Sequence, residues 1–191
     1  MRRGVGDYVF SQKGTKFSAM TLLLRRFPEI FDAYDHVLFI DDDIETSAED
    51  LNALFEICRR HSLDLAQMSL TEGSACNWDA LFADERGQEV RPVSAVEIMM
   101  PVLSRRARRW IAPTLGQSVS GFGLDLVWGK LVSEKGGRIA VLDGVSATHA
   151  RGVDHAGGAY YRYLRANGIN AKAELWTMLK RYDAACDMIA A

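Results

Sequence analysis

The sequence contains little cysteine, no long apolar run and almost no excess charge of either sign. Its three cysteines, Cys58, Cys76 and Cys186, are odd in number and far apart, so they predict neither a disulfide framework nor a zinc-ligand pair. No run approaches the ~20 apolar residues that span a bilayer, so we expect no integral membrane segment. No apolar run follows Arg2 and Arg3, so no signal peptide is indicated and we expect a cytoplasmic protein.

The small net charge also excludes a class of partner. With 23 basic and 25 acidic residues the net charge is −2 at pH 7, which argues against broad binding to nucleic acid. The four arginines within residues 105–109 are interpreted as a solvated helix face. The 191 residues, of which 48% are hydrophobic, are enough for one core, so we expect a single domain over residues 1–191.

Alternating apolar patterns predict the fold class. Short apolar runs predict strands at residues 36–40, 64–70, 95–100 and 138–145. Apolar stripes of period 3.6 predict helices at residues 17–26, 51–58, 104–110 and 124–131. Two further helical patterns lie near the end of the sequence. This alternation predicts an α/β fold with a mostly parallel sheet sandwiched by helices. Ligands in such folds gather at the carboxyl ends of the strands.

The strongest local signal is FIDDDIE (39–45), at the end of the first predicted strand. Three adjacent carboxylates repel one another, so a compensating cation is expected, and Mg²⁺ and Mn²⁺ prefer such oxygen ligands. In an extended chain Asp41 and Asp43 point the same way while Asp42 points opposite, so Asp41 and Asp43 can share a ligand. A solvated turn that caps the following helix explains the three aspartates equally well.

A second signal is SGFGLD (120–125), in which two glycines precede an acid. Gly121 and Gly123 allow the backbone to approach a ligand closely. Asp125 would then lie at the opening of a helix, where its carboxylate can act as general base towards a sugar hydroxyl. The alternative is an acidic residue that is simply favoured by the helix dipole.

A third signal is THARGVDHAGGAYY (148–161), directly after the fourth predicted strand. His149 can offer an imidazole to a metal and Arg151 can pair with a phosphate, while His155 beside two glycines suggests a mobile loop. A single histidine is usually not a ligand. The position of His149 after a strand end, in a chain with a carboxylate trio, favours the ligand interpretation.

Together these motifs resemble the nucleotide-sugar glycosyltransferases of the GT-A fold. More narrowly, the chain resembles a domain family of unknown function, found in bacteria and plants and thought to be related to that superfamily. The segments that carry the resemblance are QKGTK (12–16), FIDDDIE (39–45), VEIMMPVLSRRA (96–107), SGFGLDLVWGKL (120–131) and VLDGVSATHARGVDHAGGAYY (141–161).

The resemblance implies roles for a metal centre. Asp43 corresponds to the aspartate that binds the Mn²⁺ or Mg²⁺ bridging the diphosphate of a nucleotide-sugar donor. Asp41 corresponds to its partner, nearer the ribose or the same metal, and His149 to the late metal-binding histidine. The acceptor would be a carbohydrate or another hydroxyl compound.

The resemblance also implies donor and catalytic residues. Lys16, Asp42 and Arg151 join Asp41 as residues that bind the donor, and Asp125 stands where inverting members keep the catalytic carboxylate. The usual turn ends in an acidic pair, whereas here Leu124 precedes Asp125. GT-A domains place a β-α-β unit well over 40 residues long before the metal-binding strand, so we expect a reduced or truncated nucleotide-binding part at the N-terminus.

Two other functions stay open at this point. A haloacid-dehalogenase-type phosphatase also places D-x-D after a strand, but that motif has Thr or Val where this chain has Glu45. A non-catalytic module that binds a metal or a carbohydrate, derived from the same fold, would keep the aspartates without the transfer chemistry.

Overall fold

Helices and strands are interspersed along the chain, as in α/β folds. The computed structural model describes residues 6–76, 78–84, 87–152, 154 and 157–185, so the predictions for His155 and Cys186 lie outside the described residues. The helices are α1 (Lys16–Arg26), α2 (Pro28–Asp32), α3 (Ala48–Arg60), α4 (Arg105–Ile111), α5 (Leu124–Glu134), α6 (Ala159–Ala166) and α7 (Ala171–Tyr182). The strands are β1 (His36–Leu38), β2 (Ile44–Glu45), β3 (Leu65–Leu70), β4 (Val90–Pro92), β5 (Val102–Ser104) and β6 (Ile139–His149).

The six strands form a mixed sheet in the order β1-β5-β3-β6-β2, with β4 also paired to β6. Strands β3 and β6 are parallel, and the other four pairings among the described strands are antiparallel. The expectation of a mostly parallel sheet therefore does not hold, because β5 returns antiparallel between β1 and β3. The helices and sheet together give the α/β class that the sequence predicts.

The third predicted strand, at residues 95–100, is wrong. These residues form an irregular buried segment, and the strand begins only at Val102. Pro101 has no backbone N–H to donate, so the regular ladder starts after it. The residues that follow β1 still run alongside this segment, because Phe39 N donates to Pro101 O (3.0 Å) and Asp41 N donates to Met99 O (2.9 Å).

The core lies between the sheet and helices α3 and α5. All six residues of β3 are buried, including the polar Gln67 and Ser69. From α3, Cys58 is fully buried, and desolvation raises the pKa of its thiol to about 12, as for a small core side chain. No helix within the described ranges is both long and apolar enough to cross a membrane.

The arginine cluster is less solvated than its pattern suggests. Arg109 is exposed, but Arg108 is buried and donates to the carbonyl oxygens of Phe31 and Tyr34, each at 2.8 Å. Arg106 pairs with the buried carboxylate of Asp64 at 2.5 Å. These guanidinium groups satisfy backbone and carboxylate acceptors at one end of the sheet, which explains why the chain keeps them together.

Candidate metal centre

The three aspartates form a turn that leads from β1 into β2. Ile44 N donates to Asp41 O at 3.4 Å, so the backbone turns here rather than extending. Strand β2 then pairs antiparallel with the end of β6, and this register sets Ile44 opposite His149. As a result His149 Nε2 lies 3.5 Å from Asp43 Oδ2. The structure thus brings together two of the residues that the sequence assigns to a metal.

The imidazole of His149 is held by the loop at residues 71–76. Its Nδ1 lies 2.6 Å from Ala75 O, and its backbone N donates to Ser74 Oγ at 3.1 Å. Because a carbonyl oxygen only accepts, Nδ1 carries a proton, and in the neutral form of the ring the lone pair therefore lies on Nε2. Histidines that bind metals commonly donate their other ring N–H to a carbonyl in this way.

This tautomer makes the contact with Asp43 an unusual one. In the neutral ring the lone pair of Nε2 faces a carboxylate oxygen, and two acceptors at 3.5 Å attract each other only through a proton or a cation. The side chains are 12% exposed for His149 and 22% exposed for Asp43, so the pair is open on one side. A carboxylate and an imidazole nitrogen suit Mn²⁺, with Mg²⁺ the harder alternative.

The other aspartates of the turn take different positions. Asp41 Oδ1 pairs with Lys16 Nζ at 2.7 Å, and the backbone from Asp41 to Ile44 forms a turn instead of the extended conformation that the sequence predicts. Desolvation lowers the pKa of Lys16 and raises the pKa of Asp41, while the charge of each partner acts in the opposite direction. Asp42 is exposed on the turn.

The candidate site offers few side chains that could bind a metal ion. Within the described part of the chain, no group of three or more His, Cys, Asp or Glu side chains is arranged to hold a metal ion. Mg²⁺ and Mn²⁺ are often bound by one or two protein groups together with waters and substrate phosphates. The pair of Asp43 and His149 fits that kind of site.

Glu97 is a part of this region that sequence reasoning missed. It is half-buried, its Oε2 lies 3.4 Å from Cys76 Sγ, and its backbone N donates to Gln67 Oε1 at 2.7 Å. Desolvation raises its pKa, and the charges of His149 and Asp41 both act on it. A signal was present, because Glu97 is the single charged residue in the apolar run at residues 95–101.

Asp125 lies in the first turn of α5, after Gly123 in the left-handed conformation (φ +84°). Its Oδ1 accepts from Leu126 N at 2.9 Å, and the residue is half-buried. Desolvation raises its pKa to about 7, with a further contribution from the negative charge of Glu97. Glu97 therefore interacts electrostatically with Asp125 and also with His149 and Asp41.

The segment after β6 contributes aromatic side chains. The hydroxyl of Tyr160 donates to Ser120 O at 2.5 Å, which joins the SGFGLD and AYY motifs. Burial raises the pKa of Tyr160, and the charge of Asp41 also acts on it. Arg151 is exposed in a bend just beyond β6.

The aspartate turn and the imidazole of His149 come from segments that are distant in sequence and meet at one edge of the sheet. A scan against protein-family models and a search of curated proteins both return no match to this chain.

Proposed function

We propose that this chain is a metal-dependent glycosyltransferase with a GT-A-like arrangement. Asp43 and His149 hold Mn²⁺ or Mg²⁺, and the enzyme moves a sugar from a nucleotide-diphosphate donor to a hydroxyl acceptor. The observation that supports this most is the position of His149 Nε2, which lies 3.5 Å from Asp43 Oδ2 while Nδ1 of the same ring lies 2.6 Å from Ala75 O. That arrangement favours a cation between the two groups.

The proposed chemistry divides binding from proton transfer. A cation held by Asp43 and His149 would neutralise negative charge on the leaving diphosphate. Asp43 and His149 bind and orient, and Asp42 and Arg151, which are exposed and close to them in the sequence, contact the donor. Asp125 accepts the proton of the acceptor hydroxyl, because a carboxyl group with a pKa of about 7 is well matched to that task at neutral pH.

The direct test is hydrolysis of nucleotide-sugar donors in the presence of Mn²⁺. The Asp43→Ala variant is expected to lose about a hundredfold or more of the activity, because it removes a cation ligand. The matched control is Glu45→Ala, which removes an exposed carboxylate two residues away and is expected to stay within about threefold. Equal activities for wild type and Asp43→Ala would refute the proposal.

A second candidate is a binding module without transfer activity. It is favoured by a groove of about 610 Å³ that is lined by residues including Phe122, Tyr161 and Leu175. Neither Asp43 nor His149 lines this groove. Aromatic side chains in a groove suit the faces of sugar rings. Calorimetry separates the two functions: metal and nucleotide that reinforce each other's binding support the transferase, whereas glycan binding without nucleotide supports the module.

A further inference from the structure

Lys16 is a half-buried cation whose donors are all engaged inside the protein. An ammonium group has three N–H donors. Lys16 Nζ lies 2.7 Å from Asp41 Oδ1, 2.5 Å from Ile98 O and 2.9 Å from Met99 O. Phe39 O lies at 3.4 Å as a fourth acceptor. These contacts leave no N–H for the donor phosphate that the family resemblance assigns to Lys16.

The start of α1 fixes where this ammonium lies. Thr15 caps the helix by accepting from Ser18 N at 3.3 Å, and its hydroxyl donates to Val119 O. Lys16 is therefore the first residue of a helix whose beginning is tied to another part of the fold. Its side chain spans from α1 to the irregular segment at residues 95–100 and to the aspartate turn after β1.

Asp41 is held at two points by this arrangement. Its carboxylate pairs with Lys16, and its backbone N donates to Met99 O, the same oxygen that accepts from the ammonium. On the other side of the turn, Ala150 N donates to Asp43 O at 3.1 Å. The turn is therefore fixed at both ends, at Asp41 and at Asp43 itself.

We propose that Lys16 is a positioning residue that holds the aspartate turn so that Asp43 faces His149 before any metal binds. Asp41 is the counter-ion of Lys16 and not a cation ligand. This inference rests on the proposed function only for the identity of what Asp43 and His149 bind. The orientation of the two side chains is a property of the metal-free protein.

A purely electrostatic role for Lys16 gives the opposite prediction for metal affinity. Replacing Lys16 by methionine removes a positive charge close to a cation site and releases the carboxylate of Asp41. By Coulomb's law alone both changes strengthen Mn²⁺ binding. Loss of positioning weakens it instead, by about tenfold, as for other residues that orient metal ligands. The sign of the change therefore distinguishes the two roles.

The experiment compares Lys16→Met with Lys13→Met, an exposed lysine three residues earlier. Electron paramagnetic resonance measures the affinity for Mn²⁺, and thermal unfolding checks that each variant is folded. Because Lys16→Met leaves Asp41 unpaired, the double variant Lys16→Met/Asp41→Leu provides a second test without a lone charge. We expect about tenfold weaker binding for both Lys16 variants and no change for Lys13→Met. Unchanged or stronger binding by a folded Lys16→Met variant would overturn the inference.

A readout without metal separates this inference from the proposed function. Long-range ¹H–¹⁵N spectra resolve the ring nitrogens of the four histidines. In metal-free protein the Nε2 signal of His149 should move in Lys16→Met and in the double variant, and stay in Lys13→Met. If it does not move, Lys16 does not position the pair. If wild type binds no Mn²⁺ but the signal moves, the proposed function fails and the positioning role stands.

Discussion

Two carboxyl groups of the candidate site lie in different surroundings, and this suggests different tasks for them. Asp43 Oδ2 lies 3.5 Å from His149 Nε2 at the edge of the sheet. Asp125 is desolvated at the start of a helix, where its pKa rises to about 7. When the environments of two acids differ in this way, one commonly serves as ligand and the other exchanges protons.

The raised pKa of Asp125 has a measurable effect on stability. Its pKa moves from an ordinary 3.8 to about 7 on folding, so the folded state binds more protons than the unfolded state between these values. The stability that Asp125 contributes is therefore present below about pH 4 and is lost as the pH rises to about 7. The Asp125→Asn variant lacks this loss. We therefore expect its free energy of unfolding at pH 8 to be higher than that of wild type by more than about 1 kcal/mol.

Urea unfolding at pH 4 and pH 8 measures this difference. The exposed Asp42 is a matched control, because Asp42→Asn makes the same chemical change on the surface and should show little dependence on pH. A difference between wild type and Asp125→Asn that does not change with pH would show that the carboxyl group of Asp125 is not desolvated.

At the level of single residues, the sequence predicts part of the site. Asp43 and His149 both follow predicted strands, and the carboxyl ends of strands are where ligand-binding residues gather. The pairing of Lys16 was not predictable, because three of its four acceptors are the backbone oxygens of Phe39, Ile98 and Met99. Backbone carbonyls leave no mark in a sequence.

Among the elements, α5 connects the core to the segment that carries Glu97. Gly129 of α5 lies so close to that segment that an added Cβ would be 2.3 Å from Ser94 O and 2.8 Å from Ala95 Cβ. The glycine is therefore required by close approach of backbone to helix. This contact sets how the Glu97 segment lies against the helix that begins with Asp125.

The Gly129→Ala substitution should separate these two elements. We expect it to lower the free energy of unfolding by about 2–3 kcal/mol, because a backbone carbonyl cannot move aside as a flexible side chain can. Ser133→Ala, on an exposed position of the same helix, should change it by no more than about 0.5 kcal/mol. Urea denaturation measures both, and equal stabilities of the two variants would contradict this contact.

Local patterns predict the regular elements better than the irregular ones. Ser104 and the arginines after it predict α4, and the structure confirms a helix there with Ser104 as its cap. Residues 95–100 have the composition of a strand, yet they form an irregular segment because Pro101 and the approach of α5 prevent a ladder. That outcome depends on tertiary contacts that period and propensity do not contain.

For the molecule as a whole, the mixed topology assembles the candidate site. The last residues of β6 pair antiparallel with β2 over two residues, and this pairing brings His149 beside Asp43. A two-residue strand has no periodicity to detect in a sequence. The meeting of the two residues follows from the sheet, and the long β6 strand extends far enough past β3 to reach the turn.

The most direct test of the central claim is a crystal structure of the protein with Mn²⁺ and a nucleoside diphosphate, with anomalous scattering recorded to locate the metal. We expect one Mn²⁺ peak about 2 Å from both Asp43 Oδ2 and His149 Nε2, with the remaining ligands from phosphate oxygens and waters. Asp41 should stay paired with Lys16 in the same crystal. A metal peak that contacts neither Asp43 nor His149, in crystals where the diphosphate is bound, would contradict the account.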